Sequence, residues 1–195
     1  RDAQTGLYRI DRILPGAPYR PELRSPLTEQ GLNVNDGDYI TAVDGISVTE
    51  TTNIYSLLVG KAGVPTELTI SSNASGTNTR SIVIKPINDE HMLYHHEWVE
   101  RNLKYVHEKS GGKIGYVYIP DMGPEGLNEF ARYFYSQLDC EALIIDDRAN
   151  GGGNISPMVI ERLMRDPYRM TMYRGRSTNG TIPDAAHHGP KALLI

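Results

Sequence analysis

One stretch constrains this chain more than any other: Ala142-Leu143-Ile144-Ile145-Asp146-Asp147-Arg148-Ala149-Asn150-Gly151-Gly152-Gly153-Asn154. An apolar run meets a polar corner and three consecutive glycines, and a helical pattern begins near Ile155. The run has the length and β-branched content of a buried strand. The glycines let the backbone turn sharply and leave amide N–H groups uncovered by any Cβ. Beyond them Ile155, Met158, Val159 and Leu163 recur at i, i+3, i+4 and i+8, the spacing of one helix face. A strand, a glycine corner and a helix start together can hold an anion, or a charge that develops during a reaction.

The surrounding pattern gives an α+β chain. Its first part is mostly β. Leu7–Leu14 reads as a strand broken by Pro15-Gly16-Ala17-Pro18, and Tyr39–Val43 as a second strand ending in the turn Asp44-Gly45. Thr52 is placed to cap a short helix carrying Ile54, Leu57 and Leu58, which stops around Gly60 and Gly63. Leu68–Ser71 and Arg80–Lys85 form an expected hairpin closed by Pro86. From Asp89 to Glu108 there is no Gly or Pro, and Leu93, Val99, Leu103 and Val106 predict a long helix ended by Ser110-Gly111-Gly112. A strand at Lys113–Ile119 and a helix carrying Leu127, Phe130, Ala131, Phe134 and Leu138 precede the strand Ala142–Asp146. The helix near Ile155–Arg165, a polar loop to Gly189-Pro190 and a strand from Lys191 follow. Strand, helix, strand, helix, strand implies a parallel sheet with crossovers. No helix follows the last strand, so this half reads as a truncated α/β domain.

Composition bounds the partners. A length of 195 residues fits one large or two small domains, and 39% hydrophobic with 23% charged residues predicts a folded soluble protein. A net charge of −4 gives no electrostatic reason to expect nucleic acid or an anionic membrane. No apolar run is long enough to span a bilayer, and Arg1–Gly6 lacks the apolar core of a signal peptide. Cys140 is the only cysteine, which leaves no intrachain disulfide and no cysteine-based zinc cage. It reads as a small buried side chain.

Several chemistries compete for the glycine corner. It lacks the Lys-Ser/Thr ending of a Walker loop and the G-x-G-x-x-G spacing. Asp146, Asn150 and Gly151 fall at EF-hand places, but Arg148 and Pro157 stand where ligands belong. The bland alternative is a tight strand–helix turn. His91 and His95 stand at i, i+4, a workable two-ligand spacing, whereas His96-Glu97 puts Glu100 where H-E-x-x-H needs histidine. His187-His188 reads as a solvent-facing or capping pair. Asp146 and Asp147 are adjacent strand residues pointing to opposite faces, so one of them is expected to hold the corner by accepting hydrogen bonds, with Arg148 as partner. Ser156 reads as a helix-start residue. Spacing alone yields no complete catalytic set.

Leu7-Tyr8-Arg9-Ile10, Leu14-Pro15-Gly16-Ala17-Pro18 and Gly31–Gly45, with its G-L-x-x-x-D-G-D-x-I-x-x-V-x-G string, resemble the PDZ domain of bacterial and archaeal proteases. Lys113–Gly123, Gly126–Phe130 and Leu143–Gly153 resemble the tricorn proteases, relatives of the C-terminal-processing serine peptidases. The resemblance implies a PDZ-like β-sandwich or barrel at 1–88, a connecting helix at 89–110, and at 111–195 the first part of a crotonase-like α/β catalytic subdomain. It implies a serine peptidase, without cofactor or metal, acting on peptide or protein substrates in the cytoplasm as a homo-oligomer. The nucleophile, in an Asn-Glu-x-x-x-Ser-Asp-Gly segment, and the base histidine match no position here, so the piece itself is expected to be inactive and to need the rest of its catalytic domain. Gly153 is the position that matches the family's oxyanion donor. An acidic residue favouring basic substrates would fall near Met170-Thr171; neither is acidic and Asp166 is displaced. The resemblance also implies that extended peptide adds beside Leu7–Leu14, in a groove of Tyr8, Ile10, Ile54, Leu57 and Leu58, with a carboxylate-gripping loop around Thr5-Gly6. The alternative is a non-catalytic PDZ-containing scaffold that binds peptides.

Overall fold

The computed structural model describes residues 1–17, 19–175 and 180–195. Pro18, which ends the expected break after Leu14, and 176–179 of the expected polar loop lie outside the described residues. The protein forms two compact units, Arg1–Trp98 and Val99–Ile195.

The first unit is built on an antiparallel sheet. Its strands are β1 (Tyr8–Arg9), β2 (Tyr39–Val43), β3 (Ile46–Ser47), β4 (Thr66–Ser71) and β5 (Arg80–Ile84). Their order is β1-β2-β4-β5, with β3 returning on β2, so β1 is an edge. Asp44 and Gly45 both have positive φ, 46° and 76°, which the two-residue turn between Val43 and Ile46 requires. The β4–β5 hairpin runs in register from Thr66↔Ile84 to Ile70↔Arg80. Leu7, Val43, Val48, Leu68, Ile70 and Ile82 bury one face of this sheet.

Two expectations are corrected here. Regular pairing of the first strand covers Tyr8–Arg9 rather than Leu7–Leu14. The Ile10 N–H still donates to the Asp38 carbonyl at 2.7 Å, but the turn before β2 then leads the neighbouring backbone away, and the Ile13 amide turns to the Asp36 carboxylate at 2.7 Å. The short helix is a 3-10 turn, Ile54–Leu57, whose cap is Asn53 rather than Thr52; the Asn53 Oδ1 accepts from the Tyr55 N–H at 3.0 Å. Asn53 is one residue nearer, and its amide oxygen reaches the second free N–H of the turn.

Helix α1 spans His91–Ser110, running from the first unit into the second. The Asp89 carboxylate accepts from the His91 N–H at 3.1 Å at its start, and Gly111 and Gly112, at positive φ, end it. In the second unit β6 (Ile114–Tyr118), α2 (Pro124–Tyr135), β7 (Ala142–Asp146) and α3 (Ser156–Leu163) alternate as the pattern predicts. The hairpin β8 (Arg169–Thr171) and β9 (Gly180–Ile182) follows, then β10 (Lys191–Leu194). The parallel sheet has the order β10-β7-β6. Phe130 and Phe134 of α2 stack at 4.9 Å between ring centroids and are fully buried, with Val117, Leu143 and Ile145 in the same unit's core.

The α3 face is narrower than its spacing implies. Val159 is buried, Leu163 is half-buried, and Met158 is exposed. The expected polar loop after α3 contains the β8–β9 pairing, Arg169↔Ile182 to Thr171↔Gly180, in strands too short to show a period. Cys140 is half-buried rather than buried. His187 is not solvent-facing: it is 2% exposed, its Nε2 lies 2.9 Å from the Cys140 carbonyl, and burial pushes its pKa down. The nearby Gly189 explains this. A Cβ there would sit 1.8 Å from the Glu141 carbonyl oxygen, so only glycine lets the strap lie flat against the start of β7.

Candidate functional site

The glycine corner is fixed from beneath by Asp146. This residue ends β7 and has no exposed surface. Its Oδ2 accepts from the Tyr116 hydroxyl at 2.6 Å and from Arg148 Nη2 at 2.6 Å. Its Oδ1 accepts from Arg148 Nε at 2.9 Å and from the Arg148 backbone N–H at 3.1 Å. Burial pushes the Asp146 carboxyl up, but the hydrogen bonds from Arg148 and Tyr116 outweigh it and hold the group below the ordinary carboxylate range. Tyr116 is shifted up, first by burial and then by the Asp146 contact. Asp146 thus holds the start of the corner, with Arg148 as its bidentate partner. Asp147 points away from Arg148 and Tyr116, as alternation predicts, and holds Asn150 of the corner instead. Its Oδ1 accepts from Asn150 Nδ2 at 2.8 Å, and burial pushes its pKa up.

Above Asp146 the backbone reverses through Ala149, at φ 60°, and enters the glycines. Their amides are used one after another. The Gly151 N–H donates to the Pro120 carbonyl at 3.0 Å, and the Gly152 N–H to Asn150 Oδ1 at 2.7 Å. The Asn154 and Ile155 N–H groups both donate to the Met122 carbonyl, at 2.6 and 2.9 Å. In return the Met122 N–H donates to the Gly152 carbonyl at 2.8 Å, so Met122 and Gly153 pair as a parallel bridge. In such a bridge the flanking groups of residues 152 and 154 face the partner, and the middle residue's own N–H and C=O face away. The Gly153 N–H has no hydrogen-bond acceptor among the described residues, and Gly153 is exposed.

Only glycine fits there. Gly153 has φ 141°, and a Cβ would lie 2.1 Å from the Met122 carbonyl oxygen. Met122 itself is placed by Asp121, whose Oδ1 accepts from the Gly123 N–H at 2.6 Å and the Gly126 N–H at 3.1 Å at the start of α2. Sequence reasoning missed Asp121 and Met122. The first has a signal, an Asp ahead of a Gly-Pro helix start; the second acts through its backbone and has none. Ser156 opens α3 as its first residue, behind Ile155 at the cap. His91 and His95 share α1, and among the described residues no group of three metal-ligating side chains forms.

The second candidate site lies in the first unit. A groove of about 870 Å3 runs beside β1 and the 54–57 turn. Tyr8, Ile10, Ile54 and Leu58 line it; Leu57 is not among its lining residues, and packs with Leu58 against the sheet core. The Tyr8 hydroxyl accepts from the Ile54 N–H at 3.1 Å and ties the two walls together. Tyr8→Phe removes that acceptor and is expected to cost about 1 kcal/mol, read as a lower urea midpoint at unchanged slope. Because Ile10 faces β2, so does Tyr8 two residues before it, and the N–H and C=O of Arg9 face the open edge.

Comparison with known proteins agrees with both halves. Residues 1–89 match the family model described as the tricorn protease PDZ domain, and residues 113–194 match peptidase family S41. The chain belongs to the tricorn protease family. It is 41% identical over 187 residues to tricorn protease homolog 1 of Streptomyces coelicolor, covering 96% of this chain and 17% of that relative. It is 40% identical to the tricorn protease of Thermoplasma acidophilum, covering 82% and 15%. The crystal structure of the tricorn protease superposes with a TM-score of 0.82 at 35% identity, over 96% of this chain and 18% of that one. The chain therefore spans about one sixth of the length of the relatives it matches. No helix among its described residues is long and apolar enough to cross a membrane.

Proposed function

We propose that this chain forms part of a serine peptidase that hydrolyses peptide bonds in oligopeptides or proteins through an acyl-serine intermediate, and that Gly153 donates its N–H to the oxyanion. The outward, unpartnered Gly153 amide carries this reading. The negative charge that grows on the scissile carbonyl oxygen in the tetrahedral intermediate needs N–H donors already in place about 3 Å away. An amide held by its neighbours' bonds, and spending none of its own, meets that need. The nucleophile and the base are assigned to no residue of the 195. The domain limits proposed are 1–88 for the PDZ-like part, 89–110 for the connecting helix and 111–195 for the catalytic part. In the PDZ-like part, Arg9 offers one N–H and one C=O to an extended peptide, and Ile10 and Leu58 offer apolar contact. By family resemblance the whole protein is a cytoplasmic homo-oligomer.

The polypeptide encoded by the complete reading frame is expected to cleave a fluorogenic peptide and to be labelled by a fluorophosphonate. The 195-residue chain alone is expected to do neither. A complete protein that neither cleaves nor labels overturns the peptidase reading in favour of a peptide-binding scaffold. Cleavage by the 195-residue chain overturns the placement of the nucleophile and base outside it.

A further inference from the structure

A groove that captures the C-terminus of a peptide needs free backbone N–H groups at the end of the edge strand, where the terminal carboxylate would arrive. Here that place is the loop before β1, and its amides are already engaged. The N–H groups of Gln4 and Thr5 donate to Asp2 Oδ1 at 3.0 and 2.8 Å. The Gly6 N–H donates to the Asp2 carbonyl at 3.0 Å, and the Leu7 N–H to Thr5 Oγ1 at 3.3 Å. The Thr5 hydroxyl in turn donates to Asp2 Oδ1 at 2.9 Å. The Leu7 carbonyl, the next edge group, accepts from the Asp2 N–H at 2.8 Å. The Arg1 guanidinium is engaged as well. Arg1 donates through Nε to the Gly6 carbonyl at 3.0 Å and through Nη1 to the Thr52 carbonyl at 3.2 Å.

The side chain of Asp2 therefore occupies the position of an incoming carboxylate and takes its hydrogen bonds. It also carries the same charge. The bonds from Thr5 hold its carboxyl below the ordinary range, so it is ionised at neutral pH. A second carboxylate in the same loop would meet repulsion and find no donor. What stays open on the edge is the N–H and C=O of Arg9, beside the apolar wall of Ile10 and Leu58. Those groups ask for a passing strand, not for a terminus.

Building on the peptide-groove reading above, we infer that the groove takes internal extended segments and rejects the carboxyl termini of peptides, and that Asp2 sets this selectivity. The test is binding of the whole 195-residue protein to an array of eight-residue peptides, each made once with a free C-terminal carboxylate and once as the C-terminal amide. Bound peptides are expected to show affinities equal within about threefold in the two forms, or a preference for the amide, as a loop without free donors requires. Asp2→Ala frees the Gln4 and Thr5 amides and is expected to move the preference toward the free acid by about tenfold, with Asp2→Glu intermediate. Wild-type binding of free acids at tenfold or more over the amides overturns the inference and leaves the groove reading intact. An unchanged acid-to-amide ratio in a folded Asp2→Ala variant overturns the role of Asp2. Binding of neither form overturns the groove reading, and this inference falls with it.

Discussion

If Gly153 has the proposed role, replacing its amide by an ester, with glycolate in place of glycine, is expected to lower peptidase kcat of the complete protein by about 10²–10³-fold. The exchange removes one N–H and adds no atom where a Cβ would strike the Met122 carbonyl at 2.1 Å. It thus isolates the donor, which no side-chain substitution at this position can do. The corner should still form, because the bonds that hold it belong to Gly151, Gly152, Asn154 and Ile155. The ester weakens the Gly152 carbonyl as acceptor for the Met122 N–H, worth about 1 kcal/mol of stability. Thermal melting of the variant measures that part, and steady-state kinetics with a fluorogenic peptide measures the rest. Gly153→Ala, in contrast, should lose activity and order together, since φ 141° and the clash force the bridge to Met122 open. A well-folded ester variant with unchanged kcat removes Gly153 from the mechanism.

Asp146→Asn should be the most destabilising polar substitution in the second unit, at about 3 kcal/mol. An amide in place of the carboxylate removes the negative charge and, in either orientation, sets its N–H groups against the Arg148 guanidinium, which donates to both Asp146 oxygens in the wild type. Arg148 is half exposed and can turn to water, whereas the Tyr116 hydroxyl is buried and loses its carboxylate acceptor, while the Asn102 amide still donates to it at 3.2 Å. In a unit of this size the loss corresponds to roughly 10–20 °C in Tm. The same pair gives a pH dependence. The folded carboxyl titrates below its unfolded value of about 4, so its contribution is complete above that pH and is lost as pH falls through the lower folded value. Urea midpoints followed from neutral pH down through the carboxylate range should therefore drop in the wild type more than in Asp146→Asn. Parallel curves would show that Asp146 adds no stability through its charge.

The elements with a strong period were legible in the sequence. The parallel strand Ala142–Asp146, the long helix ended by Gly111 and Gly112, and the hairpin of β4 and β5 each follow from residue spacing and turn chemistry. So does the division of labour between Asp146 and Asp147, because strand alternation sends them apart. What was hidden has a common cause: it depends on partners far along the sequence. The first strand stops at Arg9 because its neighbour turns away at Asp36–Asp38, and nothing within Leu7–Leu14 says so. His187 is buried because Gly189 closes on Glu141, which lies 48 residues earlier. Leu57 and Leu58 look equivalent on paper, and both pack against the sheet core, yet Leu58, at the cap of the 3-10 turn, also lines the groove. The Asp2 hook was hidden for another reason: it is made of local bonds, but their meaning comes from the edge strand beside them.

The bridge between Met122 and Gly153 bears on how such a site drifts over generations. The carbonyl of Met122 collects two amides and its N–H a third bond, yet its side chain takes no part in the corner's hydrogen bonds. Every amino acid except proline brings that same carbonyl and amide. Position 122 can therefore change its letter while the outward amide of Gly153 opposite keeps its aim. A residue that this corner cannot do without can leave little mark in the text of the gene.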